Sequence, residues 1–169
     1  ERIIPEIQNV LQDVKLNPQE LQFACLCKGP GTFTGLRLAY AALKGIQLSY
    51  KFPIYSFDSL EVYALPFLNL NKSVLSCIDA KKNRFYTSIY RQDTLSIGPI
   101  DEEISKIKKY IDEEEELLIT GPDAELFADE LKLINPKEDG SVEKFLKGWD
   151  NTYSDSLVLG TAIHALFLE

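Results

Sequence analysis

Residues 28–37 read KGPGTFTGLR, and this segment decides the fold expected for the chain. It follows a short apolar run at 23–27 and leads into a long apolar stretch that starts at Leu36. Three glycines within seven residues permit tight backbone turns that a side chain would block. The pattern predicts a strand, a glycine turn and a helix, with Thr34 as the expected helix cap and Arg37 on the first turn. The residues of this glycine-turn signature are Gly29, Pro30, Gly31, Thr32, Phe33, Thr34, Gly35 and Arg37.

A phosphate-binding loop is the alternative interpretation of the glycine turn. Counted from Gly29, a Walker loop would place its second glycine where Thr34 stands, and no lysine follows Gly35. A dinucleotide-binding fingerprint would need a glycine at the same sixth position. Pro30 also lacks the N–H group that would donate to a phosphate. We therefore favour a structural turn, and a nucleotide-binding, phosphotransferase-like enzyme is the alternative function.

The composition indicates a folded protein with an acidic surface. The chain has 169 residues, of which 45% are hydrophobic and 11% aromatic, and its formal net charge is −8. Such a surface does not hold nucleic acid by itself, because phosphate contacts dominate that affinity. Direct nucleic-acid binding through Lys81, Lys82 and Arg84 is therefore the least favoured hypothesis. No segment approaches the roughly 20 apolar residues of a membrane span and no signal peptide is visible, so we expect a cytoplasmic protein that does not enter membranes.

Few residues stand in patterns that support catalysis or metal binding. The three cysteines and the single histidine, His164, form no zinc motif, and no protease nucleophile is paired with a base. Cys25 and Cys27 are expected to be small buried residues of a strand. Asp79 is the most site-like carboxylate, although a turn cap is the favoured interpretation. We therefore expect no catalytic residue, no metal site and no intrinsic cofactor.

Hydrophobic periodicity predicts alternating helices and strands, which is typical of an α/β or α+β layer architecture. Helices are predicted over 2–15, 35–50, 59–67, 99–111 and 123–131, with a last helix that is capped at 154–156 and runs to Leu168. Strands are predicted over 22–27, 53–57 and 117–120, and a hairpin over 73–90. The hairpin implies a sheet that is not purely parallel. A boundary at 71–72 would divide an N-terminal lobe, 1–71, from a C-terminal lobe, 72–169.

The helix predicted at 35–50 carries apolar stripes on two different faces. A helix that is apolar nearly all round must be covered on more than one side, so one side is a candidate for a partner protein. Together with the helix at 2–15, it is expected to form a docking surface. A self-complementary patch would also allow a weak homodimer when the partner is absent. The predicted partner-binding residues are Ile3, Ile7, Val10, Gly35, Leu36, Ala39, Tyr40, Ala42, Leu43 and Ile46.

Four stretches resemble motifs of the TsaB family, also called YeaZ, of bacterial tRNA-modification proteins. They are ERIIPEI at 1–7, the glycine segment at 28–37, Lys44-Gly45 followed by PIYSFDSL at 53–60, and IDAKKNRFY at 78–86. The resemblance covers about 1–90. It implies an actin/Hsp70-like, ribonuclease-H-like fold, in which a mixed sheet is flanked by helices in two lobes, with the first strands of that fold absent from this sequence.

The same resemblance implies a non-catalytic role. Family members pair with a related catalytic subunit, TsaD, and with the small ATPase TsaE. Their complex transfers a threonylcarbamoyl group to the adenosine next to the tRNA anticodon. ATP and metal are therefore expected on the partner subunits, and tRNA is expected to meet this chain only through the complex.

Overall fold

A computed structural model describes residues 2–111, 117–134 and 146–147. The chain divides into two compact units, residues 1–58 and residues 59–169. The predicted boundary at 71–72 lies later in the chain. The difference arises because helix α3, Ser59–Ala64, packs on the sheet of the second unit.

The first unit combines two helices with a two-stranded sheet. In chain order its elements are α1 (Ile3–Asp13), β1 (Ala24–Cys27), α2 (Phe33–Tyr50) and β2 (Ile54–Phe57). The two strands pair in parallel, from Ala24 opposite Ile54 to Cys27 opposite Phe57. Parallel neighbours need a crossover connection, and α2 supplies it. A short 3₁₀ helix spans Pro18–Glu20.

Two local predictions for this unit are wrong. α2 begins at Phe33, so Thr32 precedes its first turn, and Thr34 lies inside the helix and does not cap it. The amide of Leu36 donates to the Thr32 carbonyl at 3.0 Å, which sets the start of the helix. Cys25 and Cys27 are half-buried and not fully enclosed, because β1 has only β2 beside it among the described residues.

The second unit is built on a five-stranded mixed sheet. Its further elements are β3 (Ser73–Lys81), β4 (Arg84–Arg91), β5 (Thr94–Glu103), α4 (Ile104–Ile111), β6 (Leu117–Thr120), α5 (Ala124–Ile134) and β7 (Leu146–Lys147). The strand order is β5-β4-β3-β6-β7. β5, β4 and β3 are antiparallel neighbours, whereas β6 pairs in parallel with β3 and β7. The predicted hairpin and the mixed sheet are both confirmed.

Both faces of this sheet are covered. α4 and α5 pack on one face, where Phe85 and Phe127 meet edge to face with their ring centroids 5.0 Å apart. α3 covers the other face, and the Thr120 hydroxyl donates to the Tyr63 carbonyl at 3.2 Å. Thr87 is fully buried, and its Oγ1 has no hydrogen-bond partner among the described residues.

The helix predicted at 99–111 is wrong over its first five residues. β5 continues to Glu103 because it pairs with β4, with Thr87 opposite Ile100 and Arg84 opposite Glu103. The acidic run at 113–116, the last predicted helix and His164 lie outside the described residues. Within the part of the chain that is described, no helix has the length and apolarity needed to cross a membrane.

Candidate functional site

An open apolar groove lies between α1 and α2 in the first unit. Its volume is about 400 Å³. One wall comes from α1, the other from Leu43 and Ile46 of α2, and Phe52 contributes to its lining from beyond the end of α2. Glu6 is the one charged residue of the lining. The complete lining is Ile3, Glu6, Ile7, Val10, Leu11, Leu21, Ala24, Cys25, Leu43, Ile46 and Phe52.

The groove is open because neither helix encloses its apolar side chains. α1 and α2 contain no fully buried residue. Val10 lines the groove and is nevertheless 59% exposed. When another surface covers a side chain of this kind, burial of its apolar area contributes about 25 cal/mol per Å² to binding.

Half of the predicted partner-binding residues meet around this groove. The residues that line it are Ile3, Ile7, Val10, Leu43 and Ile46. The predicted residues that do not line it are Gly35, Leu36, Ala39, Tyr40 and Ala42. The six lining residues outside that prediction are Glu6, Leu11, Leu21, Ala24, Cys25 and Phe52. The apolar spacing of α1 signals Leu11, but which residues beyond α1 face it depends on tertiary packing.

A second apolar surface lies on the outer side of α2. Phe33 is 67% exposed, Tyr40 60% and Leu48 72%. The guanidinium carbon of Arg37 lies 3.9 Å from the centroid of the Phe33 ring, in a cation–π contact. We call Phe33, Arg37, Tyr40, Lys44 and Leu48 the outer face of α2, since helical spacing places them on one side.

The glycine turn joins β1 to α2 by close packing. Gly29 has a φ of +105°, and a Cβ atom placed on it would lie 2.9 Å from Leu36 Cδ1. A Cβ on Gly35 would lie 2.6 Å from Thr32 Oγ1. The amide of Lys28 donates to the Phe57 carbonyl at 2.9 Å, which ties the start of the turn to β2. The geometry matches the structural interpretation, in which Leu36 packs against the turn.

Asp79 has the contacts of a turn cap. Its Oδ1 accepts from the Lys81 amide at 2.6 Å, and its Oδ2 lies 2.6 Å from Lys81 Nζ. These hydrogen bonds from Lys81 lower the pKa of Asp79. The Asp79 amide in turn donates to Asp123 Oδ2 at 2.8 Å. The favoured turn-cap interpretation is confirmed.

The basic residues of the β3–β4 hairpin are largely paired with acids of the same unit. Lys81 is bound to Asp79, and Arg84 Nε lies 2.8 Å from Asp101 Oδ1. Two of the three cations in the direct nucleic-acid-binding hypothesis are therefore neutralised by neighbouring carboxylates. Across the described residues, no three histidine, cysteine, aspartate or glutamate side chains are grouped as a metal site.

Cys77 is the most enclosed thiol in the described part of the chain. It is fully buried in β3, and its Sγ lies 3.5 Å from the Thr120 carbonyl oxygen. Burial, with a smaller contribution from the charge of Asp123, raises the pKa of the Cys77 thiol. A thiol held in its neutral form is a poor nucleophile, so this residue is structural.

Comparison with known proteins finds a family model and curated relatives whose names refer to tRNA threonylcarbamoylation. Residues 1–145 match the family model of TsaD, described as tRNA N6-adenosine threonylcarbamoyltransferase. The tRNA threonylcarbamoyladenosine biosynthesis protein TsaB of Buchnera aphidicola subsp. Schizaphis graminum is 32% identical over 122 residues, which is 64% of this chain and 58% of that protein. TsaB of Bacillus subtilis is 30% identical over 90 residues, 53% of this chain and 39% of that protein. The chain thus spans about half the length of the curated relatives it matches.

Solved structures share the fold. YeaZ from Pseudomonas aeruginosa superposes with a TM-score of 0.50 at 21% identity, covering 60% of this chain and 50% of that one. A protein described as similar to peptidase YEAZ from Pseudomonas aeruginosa has a TM-score of 0.56 at 17% identity, covering 88% of this chain and 82% of that one. The predicted fold class, a mixed sheet flanked by helices, is confirmed.

Proposed function

Because this chain belongs to the TsaB (YeaZ) family, we propose that it is a scaffold subunit of the complex that adds a threonylcarbamoyl group to the adenosine next to the tRNA anticodon. In this proposal the chain has no catalytic role of its own. It docks a TsaD-type catalytic subunit through the groove between α1 and α2. The observation that carries the proposal is the open, almost entirely apolar lining of that groove.

The shape and chemistry of the groove suit anchor side chains from another protein. Its volume is about 400 Å³, and only one of its eleven lining residues is charged. Protein interfaces draw most of their affinity from a few apolar anchors that become fully desolvated in such pockets. The apolar lining offers few polar groups to orient a reacting substrate, which favours docking over catalysis.

The chemistry of the reaction then belongs to the other subunits. ATP and metal are proposed to bind to a TsaD-type subunit and a TsaE-type ATPase, and tRNA is proposed to meet this chain only within the complex. In support, the carboxylate most suited to chemistry, Asp79, is engaged by Lys81 in a turn. A weak homodimer through the same helices and a cytoplasmic location complete the proposal.

Val10→Glu tests the groove with little risk to folding, because Val10 lines the groove but is mostly exposed. Asn9→Glu is the matched control, since helical spacing turns residue 9 about 100° away from residue 10 on the same helix. Isothermal titration against a TsaD-type subunit should show that Val10→Glu weakens binding at least about thirtyfold, because a buried unpaired carboxylate costs several kcal/mol. Asn9→Glu should stay within about twofold of the unmodified chain.

Leu43→Glu repeats the test from the opposite wall of the groove. Circular dichroism of each variant should match the unmodified chain, which would separate loss of docking from loss of folding. A reconstitution with both partner subunits, threonylcarbamoyl-adenylate as the group donor, ATP and tRNA should lose the modified adenosine with either groove variant. Unchanged affinity in folded Val10→Glu and Leu43→Glu would overturn docking at this groove.

A further inference from the structure

The charge on α2 differs from the charge on the rest of the chain. The chain has 26 acidic and 18 basic residues, yet α2, FTGLRLAYAALKGIQLSY, contains no acid. Its two cations, Arg37 and Lys44, are seven residues apart, about two helical turns, and so lie on the same outer face. Both are exposed.

These cations have no acidic counterpart in the described residues. Arg37 is held over the Phe33 ring, and Lys44 Nζ donates to Gln47 Oε1 at 2.7 Å. Gln47 itself donates to the Phe52 carbonyl at 2.9 Å, which fixes the side chain that Lys44 contacts. Each cation is therefore held by a neighbour that carries no negative charge.

Self-association of this face would be held back by like charges. In a two-fold dimer centred on this face the surface meets itself, so its cations meet cations and no acid of the same face. If the axis passes between Tyr40 and Ala41 of antiparallel helices, Phe33 lies opposite Leu48 of the second copy. The same register places Arg37 opposite Lys44. The apolar ends match, but both charged pairs repel.

We propose that Arg37 and Lys44 determine partner specificity, by favouring an apolar helical surface that carries carboxylates over a second copy of this chain. The inference rests on the proposed function and extends it, because the partner that fills the groove would also have to cover the outer face of α2, where these cations lie. Complementary charges at the edge of an interface select partners more than they add affinity. The face carries only two cations, which are few for a nucleic-acid surface whose affinity comes mainly from phosphate contacts.

Charge reversal at Lys44 tests the self-pairing register without any partner. Sedimentation equilibrium of the full chain at low salt should show that Lys44→Glu tightens the homodimer about tenfold, because two repulsive pairs become two attractive ones. The double variant Arg37→Glu/Lys44→Glu restores like charges, so its dimer constant should return to within about threefold of the unmodified chain. Lys28→Glu, a reversal of an exposed lysine away from α2, should leave the constant unchanged within about twofold. Equal dimer constants for all four proteins would overturn the proposal.

A second experiment measures how the same variants bind a TsaD-type subunit. Lys44→Glu should weaken that complex about five- to tenfold at 0.1 M salt, and the difference should shrink at 1 M salt, where the Debye length falls from about 10 Å to about 3 Å. A Lys44→Glu complex as tight as that of the unmodified chain would overturn the specificity role. So would a selective loss of direct tRNA binding, which would make this a nucleic-acid face. Failure of the unmodified chain to bind the subunit would overturn the proposed function. The dimer constants would still show whether Arg37 and Lys44 of two copies repel each other.

Discussion

The signature glycines should differ in what they contribute, and replacing them one at a time separates a structural turn from a phosphate loop. Gly29 has a φ of +105°, where an alanine is strained, and its Cβ would press on Leu36 Cδ1 at 2.9 Å. Gly31 has no such φ, and a Cβ there would meet Leu36 atoms at 3.9–4.0 Å, an ordinary contact. The two positions lie in one turn, so each is the control for the other.

The expected free energies differ in sign. Gly29→Ala should destabilise the chain by about 1–3 kcal/mol, the usual cost of a sparsely populated backbone conformation. Gly31→Ala should be neutral or stabilise by up to about 1 kcal/mol, because alanine restricts the unfolded chain. Adding Leu36→Ala to Gly29→Ala removes the contact but leaves the backbone strain, so it should not restore stability.

Urea unfolding followed by far-UV circular dichroism measures these differences. A gap of about 2 kcal/mol between the two alanine variants corresponds to a midpoint shift of about 1 M, for an m-value near 2 kcal/mol/M. Equal stabilities would refute the assignment of strain to Gly29. Titration with ATP and magnesium supplies the second readout. ATP binding near micromolar affinity that Gly31→Ala abolishes without a change in stability would refute the structural turn and favour the nucleotide-binding enzyme.

Three further predictions concern the second unit. Thr87→Val should keep or raise the free energy of unfolding, by up to about 2 kcal/mol, since the buried hydroxyl has no partner among the described residues; a loss above 1 kcal/mol in urea unfolding would show that the hydroxyl is paired. Phe127→Ala should lower the free energy of unfolding by about 3–5 kcal/mol, because it removes a fully buried ring that contacts Phe85. A thermal midpoint that shifts by less than a few degrees would contradict this packing. Folded protein at pH 8 should protect Cys77 from a thiol reagent, because burial and Asp123 raise its pKa. Because the pKa of Cys77 is higher in the folded chain than in the unfolded chain, its contribution to the free energy of unfolding is complete at low pH. That contribution should fall as the pH rises above the unfolded pKa, near 8.5. Labelling of Cys77 by the reagent before the chain unfolds would contradict the predicted protection.

Local sequence patterns predict the helices and the hairpin whose limits do not depend on distant parts of the chain. The spacing of apolar residues located α1 and most of α2, and alternation located the hairpin of β3 and β4. β5 was predicted in part as a helix, because its alternation is broken where a bulge interrupts its pairing with β4. Gly98, with a φ of +110°, lies at that bulge, and a Cβ there would meet the Thr87 carbonyl oxygen at 2.5 Å. Only the partner strand explains why 99–103 is extended.

The candidate site was predicted in composition but not in arrangement. The two apolar stripes of α2 were visible in the sequence, yet nothing in the stripe itself says which side meets the sheet. Leu43 and Ile46 line the groove, whereas Phe33 and Leu48 are the most exposed large apolar residues of the helix. The sequence pattern places the helix start at Gly35, which leaves Phe33 in the turn, whereas the helix begins at Phe33. The groove could not be predicted, since its width depends on how α1 packs beside α2.

α2 therefore contributes side chains to three surfaces, which lie in different directions around the helix axis. Leu36 packs against the glycine turn, Leu43 lines the groove, and Arg37 lies on the outer face. Because successive residues turn by about 100°, neighbours in sequence act on different surfaces. Substitutions a few positions apart should therefore separate into effects on stability, on docking and on partner choice. A helix whose sole role was to cover the sheet would show the first effect alone, and the variants Leu36→Ala, Leu43→Glu and Lys44→Glu make that distinction.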